Sequence, residues 1–347
     1  MVINRQYQHD ANMLCELELT FMANNKQLSP FERYISPSRE DGFEHFTNAE
    51  NGSSLADRLS ESSDSRILVL PGGGMRGVYS AAALARLEQN GLTASAFNRV
   101  IGLSAGAING AYYVANQMES ALDAWISHLP GDEEFIRLNR PNKIMDVNHL
   151  HERILPTYAP LDEAAVLQAS STLDIALTRR HDGQTQFFSD DKLPLTLREM
   201  LKASSSAALV YEGRTEINGH EYIDGGFAEA IPLDYARSFK PDHIVIIGCN
   251  PLTGKGVGRG YELLTRVVGG MLDYPEQAQL QHVRGHHRYN DVASELRSLH
   301  LYDRPGPVID AIFPKSRTTV HRLDRNSDRL RRAATQASQS MAELLAA

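Results

Sequence analysis

Only two cysteines, Cys15 and Cys249, occur in the 347 residues, and they lie far apart in the chain. So sparse a set cannot build a disulfide framework, and it points to a reducing compartment. Long apolar runs are missing as well. Stretches such as Ile244–Ile247 fall far short of the ~20 residues that cross a bilayer, and the polar opening Met1–Asp10 has no apolar core of the kind a secretory leader needs. Positive charge is in deficit, with 35 Lys and Arg against 43 Asp and Glu and a formal net charge of −8. That balance excludes a general nucleic-acid-binding face and a broadly basic membrane-docking face, leaving only local patches. His282, His286 and His287 share a helix-face spacing but lack the Glu of a zinc-hydrolase motif, so they read as a solvated or core-edge helix.

What the chain does have is glycine at places where chemistry requires it. The β-like stretch Phe97–Ile101 runs into Gly102-Leu103-Ser104-Ala105-Gly106, and Ala107–Ala111 reads as the start of a helix. A serine at so sharp a strand-to-helix turn is lifted clear of the sheet, and the flanking glycines permit the tight backbone and close helix approach. One unit earlier, the buried-strand pattern Arg66–Leu70 breaks into Pro71-Gly72-Gly73-Gly74-Met75-Arg76-Gly77 ahead of a helical run from Val78. Consecutive glycines at a helix N-terminus leave open backbone N–H groups, suited to a phosphate or to the oxyanion of acyl transfer. A nucleotide P-loop requires Lys and a Ser or Thr where this chain has Val78 and Tyr79, and Gly72, Met75 and Gly77 fit a dinucleotide fingerprint poorly. The oxyanion reading remains. Finally, the β-like Glu221–Ile223 ends at Asp224-Gly225-Gly226. Alone, Asp-Gly is a hairpin turn. Lodged against apolar walls, the same carboxylate becomes the base that a weakly nucleophilic serine needs.

In this order the runs GGGMRG, GLSAG and DGG resemble the patatin-like phospholipase family, over roughly Arg66–Asn250. The resemblance implies an α/β fold: a central, mostly parallel sheet flanked by helices, a three-layer sandwich related to the α/β-hydrolases. It implies Ser104 as nucleophile and Asp224 as base of a dyad without histidine. Gly102, Leu103, Ala105 and Gly106 would form the nucleophile elbow, and Gly225 and Gly226 would follow the base. Gly72, Gly73, Gly74, Met75, Arg76 and Gly77 would make the oxyanion loop, with Arg76 in the family's basic position. Pro71 departs from the family, many of whose members carry Asp or Gly there, but it offers no N–H and the three glycines remain. The implied activity is hydrolysis of ester bonds in membrane phospholipids or other acyl lipids, as part of lipid breakdown, with no metal or cofactor. The expectation is a cytoplasmic protein in peripheral contact with membrane. A soluble-ester or thioester hydrolase, a non-hydrolytic lipid-binding or partner-regulated scaffold, and a lipase silent until a protein activator binds are the alternatives.

A Ser-His-Asp triad is the rival arrangement, with His243, His282, His286, His287, His300 and His321 following Asp224. None lies in a recognisable triad loop, and His243 opens the strand-like run Ile244–Ile247. From Arg66 the chain alternates strand and helix, the pattern of parallel strands with crossover helices. That pattern sets both glycine motifs at carboxyl ends of strands, where open α/β sheets bind their ligands. Three regions are expected: an N-terminal extension over 1–64, partly flexible; a catalytic domain over 65–250; and a C-terminal helical region over 251–347 packed on it. Within these, Met1–Asn25 is read as holding a short helix, Ser36–Ser65 as a linker burying little, and Gly254–Gly260 as a solvated loop. Ile144, Met145, Val147, Leu150, Ile154 and Leu155 read as helix core or acyl-channel lining. Leu173–Thr178 and Gln184–Phe188 read as a hairpin across Asp182-Gly183. Ser204, Ser205 and Ser206 read as packing and capping residues, because no glycine elbow frames them. Arg322–Leu345 has an apolar stripe beside arginines, read as a helix that packs on the domain or lies on an anionic membrane.

Overall fold

The computed structural model describes residues 42–49, 53–61, 65–140, 143–207, 213–254, 259–271, 273–301, 306–315 and 319–347. Its main elements begin with β1 (Phe43–Thr47), α1 (Leu55–Ser60), β2 (Arg66–Leu70), α2 (Gly77–Gln89), β3 (Arg99–Gly102) and α3 (Ala105–Val114). There follow β4 (Thr172–Arg179), β5 (Thr185–Ser189), α4 (Leu197–Ser204), β6 (Thr215–Ile217), β7 (His220–Asp224) and α5 (Leu233–Ser238). The chain closes with β8 (His243–Ile247), α6 (Arg259–Met271), α7 (Glu276–Arg297), β9 (Val308–Pro314) and α8 (Ser327–Ala346).

One nine-stranded sheet runs in the order β1-β9-β8-β2-β3-β4-β7-β6, with β5 paired to β4. The central strands β9, β8, β2, β3 and β4 are parallel, and the outer pairings are antiparallel. Strands covered on both faces read as near-continuous apolar runs, and every residue of β2 and β8 is buried, with the polar Arg66 and His243 only at their first positions. Their side chains alternate between the two faces. Leu68, Leu70, Val245 and Ile247 join the apolar cluster of α2, α3 and α8. Ile67, Val69, Ile244 and Ile246 join that of α5 and α7. Helix, sheet and helix form the three expected layers.

Two expectations change and two open readings are decided. Within the segment read as a linker, β1 pairs with β9 along the sheet edge, and α1 buries Leu55 and Leu59. The helix α8 buries Leu330, Ala334, Met341 and Leu345 in the cluster it shares with α2, so its stripe is taken up by the core rather than laid on a membrane. Ile144, Val147, Leu150 and Ile154 are buried; the last two belong to the α2–α3 cluster, with Met145 and Leu155 packed against it. Arg259 and Gly260, read as loop, open α6. Met1–Asn25, with Cys15, and Lys255–Gly258 lie outside the described residues.

The geometry of the site follows from the length of β4, which has eight residues. Its first half pairs with β3, setting Gly102 opposite Ile175. Its second half pairs with β7, setting Asp224 opposite Leu177. Two segments far apart in the chain thus end two positions from each other along a single strand.

Candidate active site

Ser104 occupies the turn between β3 and α3 with φ 53° and ψ −126°. A left-handed backbone is uncommon for a residue with a side chain and persists only where the surroundings over-determine it. Here they do. The Leu103 amide donates to the Leu70 carbonyl at 3.1 Å, and the α3 helix enters so closely that a Cβ on Gly106 would overlap the backbone at Leu70. Leu103 and Ala105 are buried, whereas Ser104 is half-buried and its hydroxyl is not spent on capping α3.

Asp224 ends β7 and is 7% exposed. Its Oδ1 accepts the Gly226 amide at 2.6 Å, and the Ser104 hydroxyl favours its charged form. Burial pushes the carboxyl up to about 6, against the opposing pull of the Ser104 hydroxyl, the Gly226 amide and the Arg322 charge. Desolvation disfavours the anion, so the group gains the proton affinity that a base near neutral pH needs. Neither Ser104 nor Asp224 is hydrogen-bonded to a histidine among the described residues. His243 Nε2 instead meets Asp310 at 2.7 Å, and His282 Nδ1 meets the Phe227 carbonyl at 2.6 Å.

The glycine loop arches over Ser104. A Cβ on Gly72 would stand 2.7 Å from Ser104 Cβ and 3.5 Å from its Oγ. Gly74 has φ +59°, and a Cβ there would lie 2.7 Å from the Arg322 carbonyl oxygen. Among the described residues, the amides of Gly72, Gly73 and Gly74 donate to no group, which leaves them for a developing negative charge. The other expected donors are engaged. Met75 N–H donates to the Arg322 carbonyl at 3.0 Å and Arg76 N–H to Gly73 at 3.3 Å, while Gly77 N–H serves Gly74 and Met75. These amides belong to the tight turn that starts α2, so the open stretch is shorter than the motif suggested.

Arg76 is likewise a strut rather than a free cation. Its Nε donates to the Val320 carbonyl at 3.0 Å and its Nη1 to Asn250 Oδ1 at 2.9 Å. Asn250 in turn donates to the Gly72 carbonyl at 2.8 Å, bracing the loop from behind. Cys249 is buried, with its thiol pushed up to about 12 by desolvation, and so is inert. The exposed cation here is Arg322, whose guanidinium has no hydrogen-bond or ion-pair partner among the described residues and whose charge acts on Asp224, Cys249 and Arg76. Sequence reasoning missed Asn250, Arg322 and Ser204. Only Asn250 left a signal, since it follows the carboxyl end of β8, beside the two glycine motifs.

The chain matches one family model and is similar to a curated relative and to two solved structures. The family model described as patatin-like phospholipase matches residues 68–237. The uncharacterized protein YjjU of Escherichia coli K12 is 26% identical over 220 residues, 62% of this chain, which spans 60% of that relative. Among solved structures, VipD from Legionella pneumophila is similar with a TM-score of 0.44 and 12% identity, over 82% of this chain and 67% of VipD. ExoU of the Pseudomonas aeruginosa type III secretion system, solved in complex with SpcU, gives 0.31 and 15%, over 77% and 62%.

Proposed function

We propose, from the premise that residues 68–237 belong to the patatin-like phospholipase family, that this chain is a serine acyl hydrolase of phospholipids in which Ser104 and Asp224 perform the chemistry. The observation that carries this reading is the convergence on β4, which sets Gly102 and Asp224 two positions apart, with the Ser104 hydroxyl acting on the buried Asp224 carboxyl and the Gly72, Gly73 and Gly74 amides donating to no group among the described residues. A serine hydroxyl needs a base and a site for the oxyanion, and both stand beside it.

In the first step the Ser104 oxygen attacks the ester carbonyl carbon and its proton passes to Asp224. Electron density moves to the carbonyl oxygen, which the Gly72–Gly74 amides receive. Collapse of the tetrahedral intermediate breaks the ester bond, and Asp224 returns the proton to the departing alcohol, a lysophospholipid. Water then attacks the acyl-serine, Asp224 takes its proton and passes it back to Ser104, and fatty acid leaves.

The exposed Arg322 beside the glycine loop, whose guanidinium has no partner among the described residues, favours a phosphate-bearing substrate over a soluble neutral ester, because a guanidinium matches phosphate oxygens in pairs. Such a substrate requires peripheral contact with a lipid surface, and no helix among the described residues is long and apolar enough to cross one. Fatty-acid release from phospholipid vesicles tests the reading. Ser104→Ala is expected to abolish it in a folded protein, and release at the wild-type rate would reject the assignment. Arg322→Ala is expected to lower kcat/KM on phospholipid by about tenfold or more and leave a monomeric neutral ester unaffected; equal losses on both would reject the phosphate role. If the chain releases nothing until a second protein is added, the activator-dependent alternative holds.

A further inference from the structure

Ser204 ends α4 and is 0% exposed, yet it is not mere packing. Its Oγ donates to the Ala176 carbonyl at 2.8 Å and accepts the Ser104 amide at 2.9 Å. The directions are fixed, because a hydroxyl has one proton, an amide N–H only donates and a carbonyl only accepts. Two residues on, the Ser206 carbonyl accepts the Asp224 amide at 3.1 Å. The end of α4 therefore holds the main chain of both reacting residues at once. Ala176 lies in β4 between Ile175, opposite Gly102, and Leu177, opposite Asp224, and a Cβ on Gly225 would collide with that same Ala176 carbonyl. The helix is itself anchored, with a capping box joining Thr196 and Glu199 at its start and Leu197, Met200 and Leu201 buried along it.

We infer that Ser204 is a positioning residue: its hydroxyl pins the left-handed Ser104 backbone to β4 and, with the Ser206 carbonyl, fixes the approach of the Ser104 hydroxyl to Asp224. The inference rests on the Ser104–Asp224 reading proposed above. Ser104 bonds through its backbone here, so its own hydroxyl stays free to react, and Ser204 never touches substrate. A clamp of this kind acts on reaction geometry rather than on substrate binding, where displacements of about 1 Å are costly.

The test uses the full chain carrying Ser204→Ala, a monomeric ester and a fluorophosphonate probe. Labelling of Ser104 and kcat are expected to fall ~10- to 100-fold with KM unchanged. The acid limb of the pH profile is expected to move upward from near pH 6, because letting Ser104 shift weakens the influence of its hydroxyl, which favours the Asp224 carboxylate. A purely structural serine would not move that limb. Ser205→Ala, whose hydroxyl donates to the Leu201 carbonyl, is expected to behave as wild type, and Ser204→Thr, which keeps a hydroxyl, is expected to recover most of the rate. Wild-type labelling and an unmoved acid limb in Ser204→Ala would overturn the inference, as would an equal loss in Ser205→Ala. If Ser204→Ala does not fold, Ser204→Cys carries the same expectations and the same contradictions. Turnover by Ser104→Ala would instead overturn the underlying assignment, which separates the two failures.

Discussion

At the residue scale, the proposed base trades stability for function. The carboxyl of Asp224 is raised from 3.8 to about 6 by burial, so between those values the native chain holds more protons than the unfolded one. Stability from this group is therefore full below pH 3.8 and is lost as pH rises through about 6, a penalty on the order of 2–3 kcal/mol at neutral pH. Asp224→Asn keeps the shape and removes the buried charge. Denaturant titrations at pH 7.5 and pH 3.5 are expected to show the variant more stable than wild type at the higher pH and equal at the lower. The rate of the wild type is expected to climb with pH through about 6, as Asp224 ionises. A variant less stable at pH 7.5 would mean that the carboxylate is not the strained group described. Roles of this kind were only partly legible in the chain. Ser104 and Asp224 sit in glycine punctuation that announces a turn, whereas Ser204 draws its meaning from Ala176 and the Ser104 amide, partners that the fold alone brings together.

At the element scale, the elbow works only because α3 lies against the end of β2. Gly106 makes that approach possible, and any Cβ there would overlap the Leu70 carbonyl. Backbone cannot retreat as a flexible side chain does, so Gly106→Ala is expected to cost several kcal/mol, about 3 or more, and to lower the thermal midpoint even with Ser104 already mutated. An unchanged midpoint would show that α3 tolerates displacement. Most elements were legible: β2, β3 and β8 as apolar runs, the β4–β5 hairpin from Asp182-Gly183, and α2 and α3 from the glycines before them. By contrast, β1 escaped notice. Its residues alternate too weakly for an edge strand to stand out, and its partner β9 begins at Val308, far beyond any local window. The register of β4, which brings the two motifs together, is likewise set by pairings on both its halves and by no local pattern.

At the scale of the whole molecule, the sheet is closed by segments from both ends of the chain, and one buried aspartate ties them. Asp310 in β9 accepts from His45 Nε2 in β1 at 2.7 Å, from His243 Nε2 in β8 at 2.7 Å, and from Arg58 in α1 at 2.7 and 3.0 Å. Burial works against the anion, but the bonds from His243, His45 and Arg58 outweigh it and hold the carboxyl far below the usual range. A depressed carboxyl contributes stability that is present above its unfolded value, near 3.8, and is lost only in stronger acid. Asp310→Asn leaves the half-buried Arg58 without its counter-ion and is expected to cost about 3 kcal/mol. Hydrogen exchange in that variant is expected to rise first in β1 and α1, and uniform protection across the sheet would contradict this account of the tie. The net charge of −8 and the absence of a membrane-length apolar run were legible from composition. The joining of both chain ends to one sheet was not, since nothing local marks His45, Arg58, His243 and Asp310 as a set.

The central claim is that Ser104 is activated by Asp224. Its most direct test is the rate at which a fluorophosphonate modifies the folded chain, with the adduct mapped to its residue, in wild type and in Asp224→Asn. A single adduct on Ser104 is expected, formed ~10²-fold or more slowly without the carboxylate. An unmodified Ser104, or equal rates in the two proteins, would contradict it.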